Sequence, residues 1–434
     1  MGTSNTSGRA VAPLAACALL PLLMLALALA GAAGAAPLRP GYAVSDTPSA
    51  TRPHWACPEG LCDAIVDPPR RAGVAPFAQA RREPEGSGEE GGFDPQDLRS
   101  AYAIPTAGGA GQTIALVEGF GYKQAEKDLA VYRSHYGLPP CTAKNGCFSA
   151  VNGHGKAPHY VKANGWELEE SLDLDMASAA CQECHILLVD AEGESWDALS
   201  TAVDEAASLG ASEISNSYGL PEETCVQDAG ECAEAGARYD DHPGVLITVA
   251  SGDYGYDNYL EGAVSPSFPA DQPDVVAVGG TTLLRAGNAR GWSESVWWEP
   301  KLGVGTGSGC TTQSKPAWQK DAGCPGRTDN DVAAVGACTT PVSVYDSLEG
   351  GWADVCGTSV SSPLVAAIEA HASAYARSLP GAESFYEDPA ARFDVTAGKD
   401  GKCRGKQKYL CRAQPGYDGP TGNGTPDGPL QLTG

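Results

Sequence analysis

What most limits the fold of this chain is a succession of short apolar runs separated by helical or polar stretches. "TIALVEG" (113–119) and "HILLVDA" (185–191) read as buried strands. "ASEISNSYG", "GVLITVASGD" and "DVVAVGGTTL" follow in the same manner. Between the first two lies a helical stretch from Lys123 to His135, stopped by Gly137. After the second, Ser195 is placed to cap "WDALSTAVDEAASL", and Gly210 to end it. Strand–helix–strand alternation of this kind predicts an α/β domain with a mainly parallel central sheet flanked by helices. Functional side chains in such folds gather beyond the carboxyl ends of the strands.

Upstream the composition differs. Arg9 precedes the apolar run "LAACALLPLLMLALALAGAAGAA", which ends in small residues with Ala33 and Ala35 in an A-x-A arrangement. Residues 1–35 therefore read as a signal peptide, and the chain as secreted. Cys17 ends a lipoprotein-like "LAAC", but most of the apolar core follows it, which argues against that reading. A retained anchor is the other alternative; Pro13, Pro21 and the small-residue end favour cleavage and no stable membrane anchor. Residues 36–95, with "REPEGSGEEGG" near their end and a junction near Gly92, have the composition of a short pro-segment or disordered linker. Residues 96–434 form the remaining domain.

A net charge of −25 over 434 residues makes nucleic acid an unsuitable partner. It suits work at low pH, and equally serves plain solubility. Of 15 cysteines one falls in the signal, leaving an even number in an exported chain, which implies disulfides. Spacing points to local pairs: Cys57/Cys62, Cys141/Cys147, Cys181/Cys184, Cys225/Cys232 and Cys403/Cys411. "CQEC" (181–184) also has a redox or zinc spacing, but no second ligand pair accompanies it.

Three clusters carry chemistry. "CGTSVSSP" (356–363) places Ser359 at or just before a helix N-terminus, where backbone N–H groups favour a developing anion. A simple helix cap would give the same sequence. In "WELEESLDLDMASAA" (166–180), Glu169 and Asp173 are four apart and share one face of a helix. Two adjacent acids repel, so one holds a proton, unless both merely decorate a solvated face. "ASGDYG" (250–255) sets Asp253 at a strand end before a glycine turn, where it either enters a site or bonds its own backbone. "GHGKAPHY" (153–160) is followed by Pro158 rather than a helix, and the first strand ends in Glu118-Gly119-Phe120, so a Ser-His-Asp triad lacks two members. "GTGSGC" (305–310) lacks the Lys-Ser/Thr of a phosphate loop and reads as a substrate-side loop.

"ELEESLD", "SGDYG" and "CGTSVSSP", in this order, resemble the sedolisin family of serine-carboxyl peptidases over nearly everything from Asp94 onward. The resemblance implies a subtilisin-like fold in which a glutamate replaces the histidine of the triad. It assigns Ser359 as nucleophile, Glu169 as general base, Asp173 as its proton-sharing partner and Asp253 as the oxyanion acid. It also implies a C-terminal calcium-binding loop region holding one structural Ca2+. The ligands would be Asp394, the carbonyls of Val395, Gln414 and Gly416, and Asp418; on their own residues these segments read equally as ordinary turns. The implied enzyme is an acid-active endopeptidase acting on protein or peptide substrates, and a monomer.

Two departures from the family pattern stand out. Tyr254 replaces a serine common after the oxyanion aspartate, and Cys356 replaces a small residue ahead of G-T-S; it is either tied to Cys338 or a free thiol. Residues 36–95 are also shorter and more polar than the family's folded propeptides. Tripeptidyl-peptidase action, a catalytically silent binding protein on the same scaffold, and a subtilase using His154 or His185 remain the alternatives.

Overall fold

The computed structural model describes residues 53–57, 61–67, 85–161, 165–227, 229–256, 266–403 and 406–434. The expected signal peptide, and most of the expected pro-segment, lie outside the described residues.

The centre is an eight-stranded sheet. Its parallel strands are β3 (Thr113–Gly119), β4 (Phe148–Asn152), β5 (His185–Ala191), β6 (Glu213–Asn216), β7 (Leu246–Ala250), β8 (Val276–Arg285) and β10 (Val332–Val335). β9 (Trp292–Val296) runs antiparallel on the edge of β8. The order β9-β8-β7-β6-β3-β5-β4, with β10 also against β8, is that of a doubly wound sheet with crossovers between parallel neighbours. Strands buried on both faces explain why β3, β5 and β7 read as continuous apolar runs rather than alternating ones.

Helices cover the sheet. α1 (Pro95–Ala101) is capped by the Asp94 carboxylate, which accepts the N–H groups of Gln96 and Asp97. α2 (Ala125–His135) ends at Tyr136 and is followed by Gly137 at φ +68°. α4 (Trp196–Ser208) starts where Ser195 accepts the N–H of Ala198 and stops before Gly210 at φ +86°. α3 (Trp166–Ala180) is buried along its whole length, although it carries five acidic residues. α6 (Thr358–Glu369), after α5 (Ala229–Asp240), is equally buried and packs against α3 and the sheet.

A smaller antiparallel sheet adds what composition hid. β1 (His54–Trp55) pairs with β2 (Ile65–Asp67), β2 with β12 (Gly351–Cys356), and β12 with β11 (Val342–Asp346). Trp55, Ala64, Ile65 and Val66 are core residues, so at 53–57 and 61–67 the reading of 36–95 as a disordered linker is corrected. Gly92 is buried as well; a Cβ there would fall 2.7 Å from the backbone of Ser343. The average over this stretch is polar, yet its few apolar residues, among them the consecutive Ala64, Ile65 and Val66, are buried.

Seven disulfides occur among the described residues: the five local pairs expected, Cys310–Cys324, and Cys338–Cys356. Among the described residues no helix is long and apolar enough to cross a membrane.

Candidate active site

β12 ends at Cys356 and the chain turns through Gly357 (φ +129°) into α6, which puts Ser359 in the first turn of that helix. The Cys338–Cys356 bridge ties the strand end down immediately before the turn. Gly357 is required there: a Cβ would fall 2.6 Å from Asp253 Oδ2. Asp253 follows β7, and its Oδ1 accepts the Thr358 N–H at 2.7 Å and the Thr358 hydroxyl at 2.9 Å. The aspartate and the serine turn are thus locked together. The 305–310 loop packs on this turn, with Gly305 N–H donating to the Asp253 carbonyl at 2.9 Å and Gly307 N–H to that of Gly252 at 2.7 Å.

Glu169 and Asp173 lie one turn apart on α3, both at 0% exposure, so the solvated-face alternative does not hold. The Ser359 hydroxyl donates to the Ser217 carbonyl at 3.2 Å and adjoins the Glu169 carboxyl. Asp173 accepts the Ser217 hydroxyl at 2.9 Å on both oxygens and lies beside the Glu118 carboxyl. Ser217, just beyond the end of β6, and Glu118, near the end of β3, join the site without a motif that marks them in the sequence. Glu118 shows in the sequence as an acid near the end of a buried strand.

Beyond Glu118 the acids continue. Glu170 on α3 and Asp190 at the end of β5 are both buried. Asp190 lines a cavity of about 260 Å³ together with Phe120, Asn152, His159, Val161, Ala191 and Glu192. Burial is the main cause that pushes Glu118, Glu169 and Glu170 well above the usual carboxylate range, with their neighbours' charges adding to it. Burial likewise pushes Asp173 up to about 8 and Asp190 to about 7. Such a cluster holds protons at the expense of charge.

The histidine alternatives are not assembled. His185 opens β5 at the end opposite Asp190 and contacts the Gly146 carbonyl at 2.8 Å, while the exposed His154 faces Glu192 at 3.8 Å. At the C-terminus Asp418 accepts the Gln414 N–H at 2.9 Å and the N–H and hydroxyl of Thr421 at 3.0 and 2.8 Å. Asp394 accepts the Gly416 N–H at 3.1 Å. These loops therefore meet, and Asp418 rises to about 7, mainly by burial and in part through the nearby Asp394 charge.

Comparison with known proteins identifies the family and the fold. The subtilase family profile matches residues 161–385. The chain is 30% identical to kumamolisin of Bacillus sp. (strain MN-32) over 395 residues, 85% of this chain and 69% of that one. It is 30% identical to sedolisin of Pseudomonas sp. (strain 101) over 370 residues, 79% of this chain and 61% of that one. Among solved structures, Pseudomonas sedolisin, a serine-carboxyl proteinase complexed with pseudo-iodotyrostatin, superposes with a TM-score of 0.67 at 28% identity, covering 77% of this chain and 95% of that one. The chain belongs to the sedolisin family of serine-type peptidases, on its subtilisin-like α/β fold.

Proposed function

We propose that this chain is a secreted, acid-active serine-carboxyl endopeptidase that cuts peptide bonds with Ser359. The observation that carries the reading is the convergence of Ser359, Glu169, Asp173 and Asp253 from α6, α3 and the end of β7. In the proposed reaction Glu169 takes the Ser359 proton as the hydroxyl attacks the scissile carbonyl, and later gives it to the leaving amine. Asp173, held by the Ser217 hydroxyl, shares that proton and keeps Glu169 in register. The Ser359 N–H and a protonated Asp253 donate to the tetrahedral oxygen; an ionised Asp253 would repel it, which ties activity to acid.

Secretion is supported by the seven disulfides, which persist in oxidising compartments. Endopeptidase action is supported by the solved relative, itself a proteinase. A calcium ion suits the C-terminal loops, where the Asp394 and Asp418 carboxylates lie near one another and bind the N–H groups of Gly416 and Gln414, so that carboxylates with the carbonyls of the same loops would make an all-oxygen set for a hard cation. Asp394, Asp418 and the carbonyls of Val395, Gln414 and Gly416 would hold it, and it would offset the two carboxylates and fix the loops.

The test is hydrolysis of a denatured protein mixture across acid and neutral pH, with the wild type, Ser359→Ala and Glu169→Ala compared. Internal cleavage lost in both variants is expected. Activity indifferent to Ser359 overturns the reading, and release of N-terminal tripeptides alone overturns the endopeptidase mode.

A further inference from the structure

Asp190 stands in register with Asn152 on β4 and with Glu118 on β3, so the three side chains form a row at the carboxyl ends of adjacent strands. Asp190 is 1% exposed, and among the described residues neither oxygen of its carboxyl has a hydrogen-bond partner. Buried polar groups are nearly always bonded, so this one calls for an explanation. Its neighbours supply no donor. Asn152 donates to Glu192 at 2.8 Å and accepts the N–H groups of His154 and Lys156 at 3.1 and 2.9 Å. Glu118 on β3 and Glu170 on α3 are themselves buried acids, and Tyr160, in the loop after β4, is exposed. Gly121, at φ +99°, gives the carboxyl its room: a Cβ there would fall 2.4 Å from Asp190 Oδ2.

What the carboxyl does adjoin is the cavity of about 260 Å³. Phe120, Val161 and Ala191 give that cavity apolar walls, and its polar groups grade outward. Asp190 is buried, Glu192 is half-exposed, and His159 is exposed at the rim. An apolar passage with an acid at its inner end suits a side chain that has an aliphatic stem and a cationic head. The volume takes one such side chain; pockets for larger ligands run from about 300 Å³ upward. A metal ion fits less well, because among the described residues no three acid, cysteine or histidine ligand atoms converge within 4.8 Å at this cavity.

We propose that this cavity is a subsite that takes a lysine or arginine side chain of the bound peptide, with Asp190 as the residue that selects it. The proposal rests on the peptidase reading above. Trp166 connects the cavity with the cleft. Its indole N–H donates to Glu194, two residues beyond Glu192, at 3.2 Å, its ring lies against Gly119, and it packs on Tyr218 with centroids 5.9 Å apart. The rim of the cavity is thus one tryptophan away from the cleft edge at Ser217–Gly219, within reach of a long side chain.

The occupant changes the charge of the site. An unpaired buried carboxylate is costly, so the empty cavity keeps the proton on Asp190, which burial pushes up to about 7. A cationic head must displace that proton, and its affinity therefore rises with pH. At the rim Glu192 works for a cation and His159, when protonated, against one, which adds to the same trend. In strong acid the neutral carboxyl leaves basic and apolar side chains nearly equal; toward neutrality the basic ones gain.

The first test is calorimetry on the full chain with n-butylammonium as probe and n-butanol as its neutral counterpart, in buffers of different ionisation enthalpy. The wild type should bind the cation with release of a proton in acid, and about tenfold more weakly for each pH unit below about 7. Asp190→Asn should lose this binding. Val161→Trp, which fills the cavity and leaves the acids in place, should lose it too. No binding by the wild type, no proton release in acid, or binding unchanged in both variants overturns the proposal. The second test compares kcat/KM for peptides that carry lysine or norleucine at one position, walked along the peptide. One position should show a lysine preference that grows with pH, and Asp190→Asn should flatten it. No such position, or one that Asp190→Asn leaves intact, overturns the subsite. If no peptide is cut at all, the catalytic reading falls alone, and the calorimetry still decides whether the cavity takes a cation.

Discussion

The carboxylate of Asp253 accepts both the N–H and the hydroxyl of Thr358 on one oxygen, Oδ1, at 2.7 and 2.9 Å. Its other oxygen, Oδ2, lies against the Gly357 turn that precedes Ser359. This one-sided anchoring predicts a difference between two substitutions. Asp253→Asn keeps an acceptor for Thr358 and presents an amide that donates at every pH. Asp253→Ala removes both functions and should cost roughly a hundredfold to a thousandfold in kcat, the usual cost of losing one oxyanion donor. The asparagine variant should therefore retain more activity near neutrality than the alanine variant. Equal loss at every pH in two folded variants, read from initial rates on one peptide, would remove Asp253 from the oxyanion role.

The buried carboxyls also set the stability profile. Asp173 is pushed up to about 8 and Asp190 to about 7, each mainly by burial. In the unfolded chain an aspartate titrates near ~3.9. Between these values the folded state binds more protons than the unfolded one, so stability falls as pH rises. Their contribution is fully present below the unfolded value and is lost as pH climbs through the folded one. Thermal unfolding should thus show Tm highest in acid and declining toward neutrality, and Asp173→Asn should flatten that decline. A Tm that rises steadily from acid to neutral pH would contradict the burial of this cluster.

The alternation of strands and helices was legible because strands buried on both faces have no other way to be written than as apolar runs. Ser359, Glu169, Asp173 and Asp253 were legible as residue types at turn and helix spacings. What joins them was not. Whether Glu118 and Asp190 end in water or in the interior depends on which loops close over the strand ends, a long-range fact. Residues 53–57 and 61–67 are illegible for a different reason: Ile65 pairs with Cys356 across 291 positions of sequence. A window averaged over a Pro- and Glu-rich stretch cannot register such a pairing.

The Cys338–Cys356 bridge spans 18 residues and fastens the strand end that leads into Ser359. Loop-closure entropy for a ring of this size is worth about 3 kcal/mol. Replacing both cysteines by alanine should lower Tm by several degrees, and should lower kcat more than it raises KM, because the serine turn loses its brace while the cleft edge at Ser217–Gly219 is untouched. Calorimetry beside steady-state kinetics checks this. A change in KM alone would mean that the bridge serves the cleft rather than the turn.

Chelation gives the last test, and the size of its effect depends on pH. Asp418 is pushed up to about 7 by burial and by its neighbour Asp394, so in acid it carries a proton where a cation would need a bare carboxylate. A calcium ion must displace that proton, and its affinity should weaken as pH falls. Removing the ion with a chelator should then lower Tm strongly near neutrality and much less in acid, where protonation already relieves the repulsion between the two carboxylates. Asp418→Asn should abolish the chelator effect at neutrality, since it leaves the backbone carbonyls but removes the charge that pays for dehydrating the ion. Thermal scans with and without chelator, on wild type and Asp418→Asn, decide the matter. A Tm indifferent to chelator at every pH would leave these loops as turns held by Thr421 and Gln414 alone.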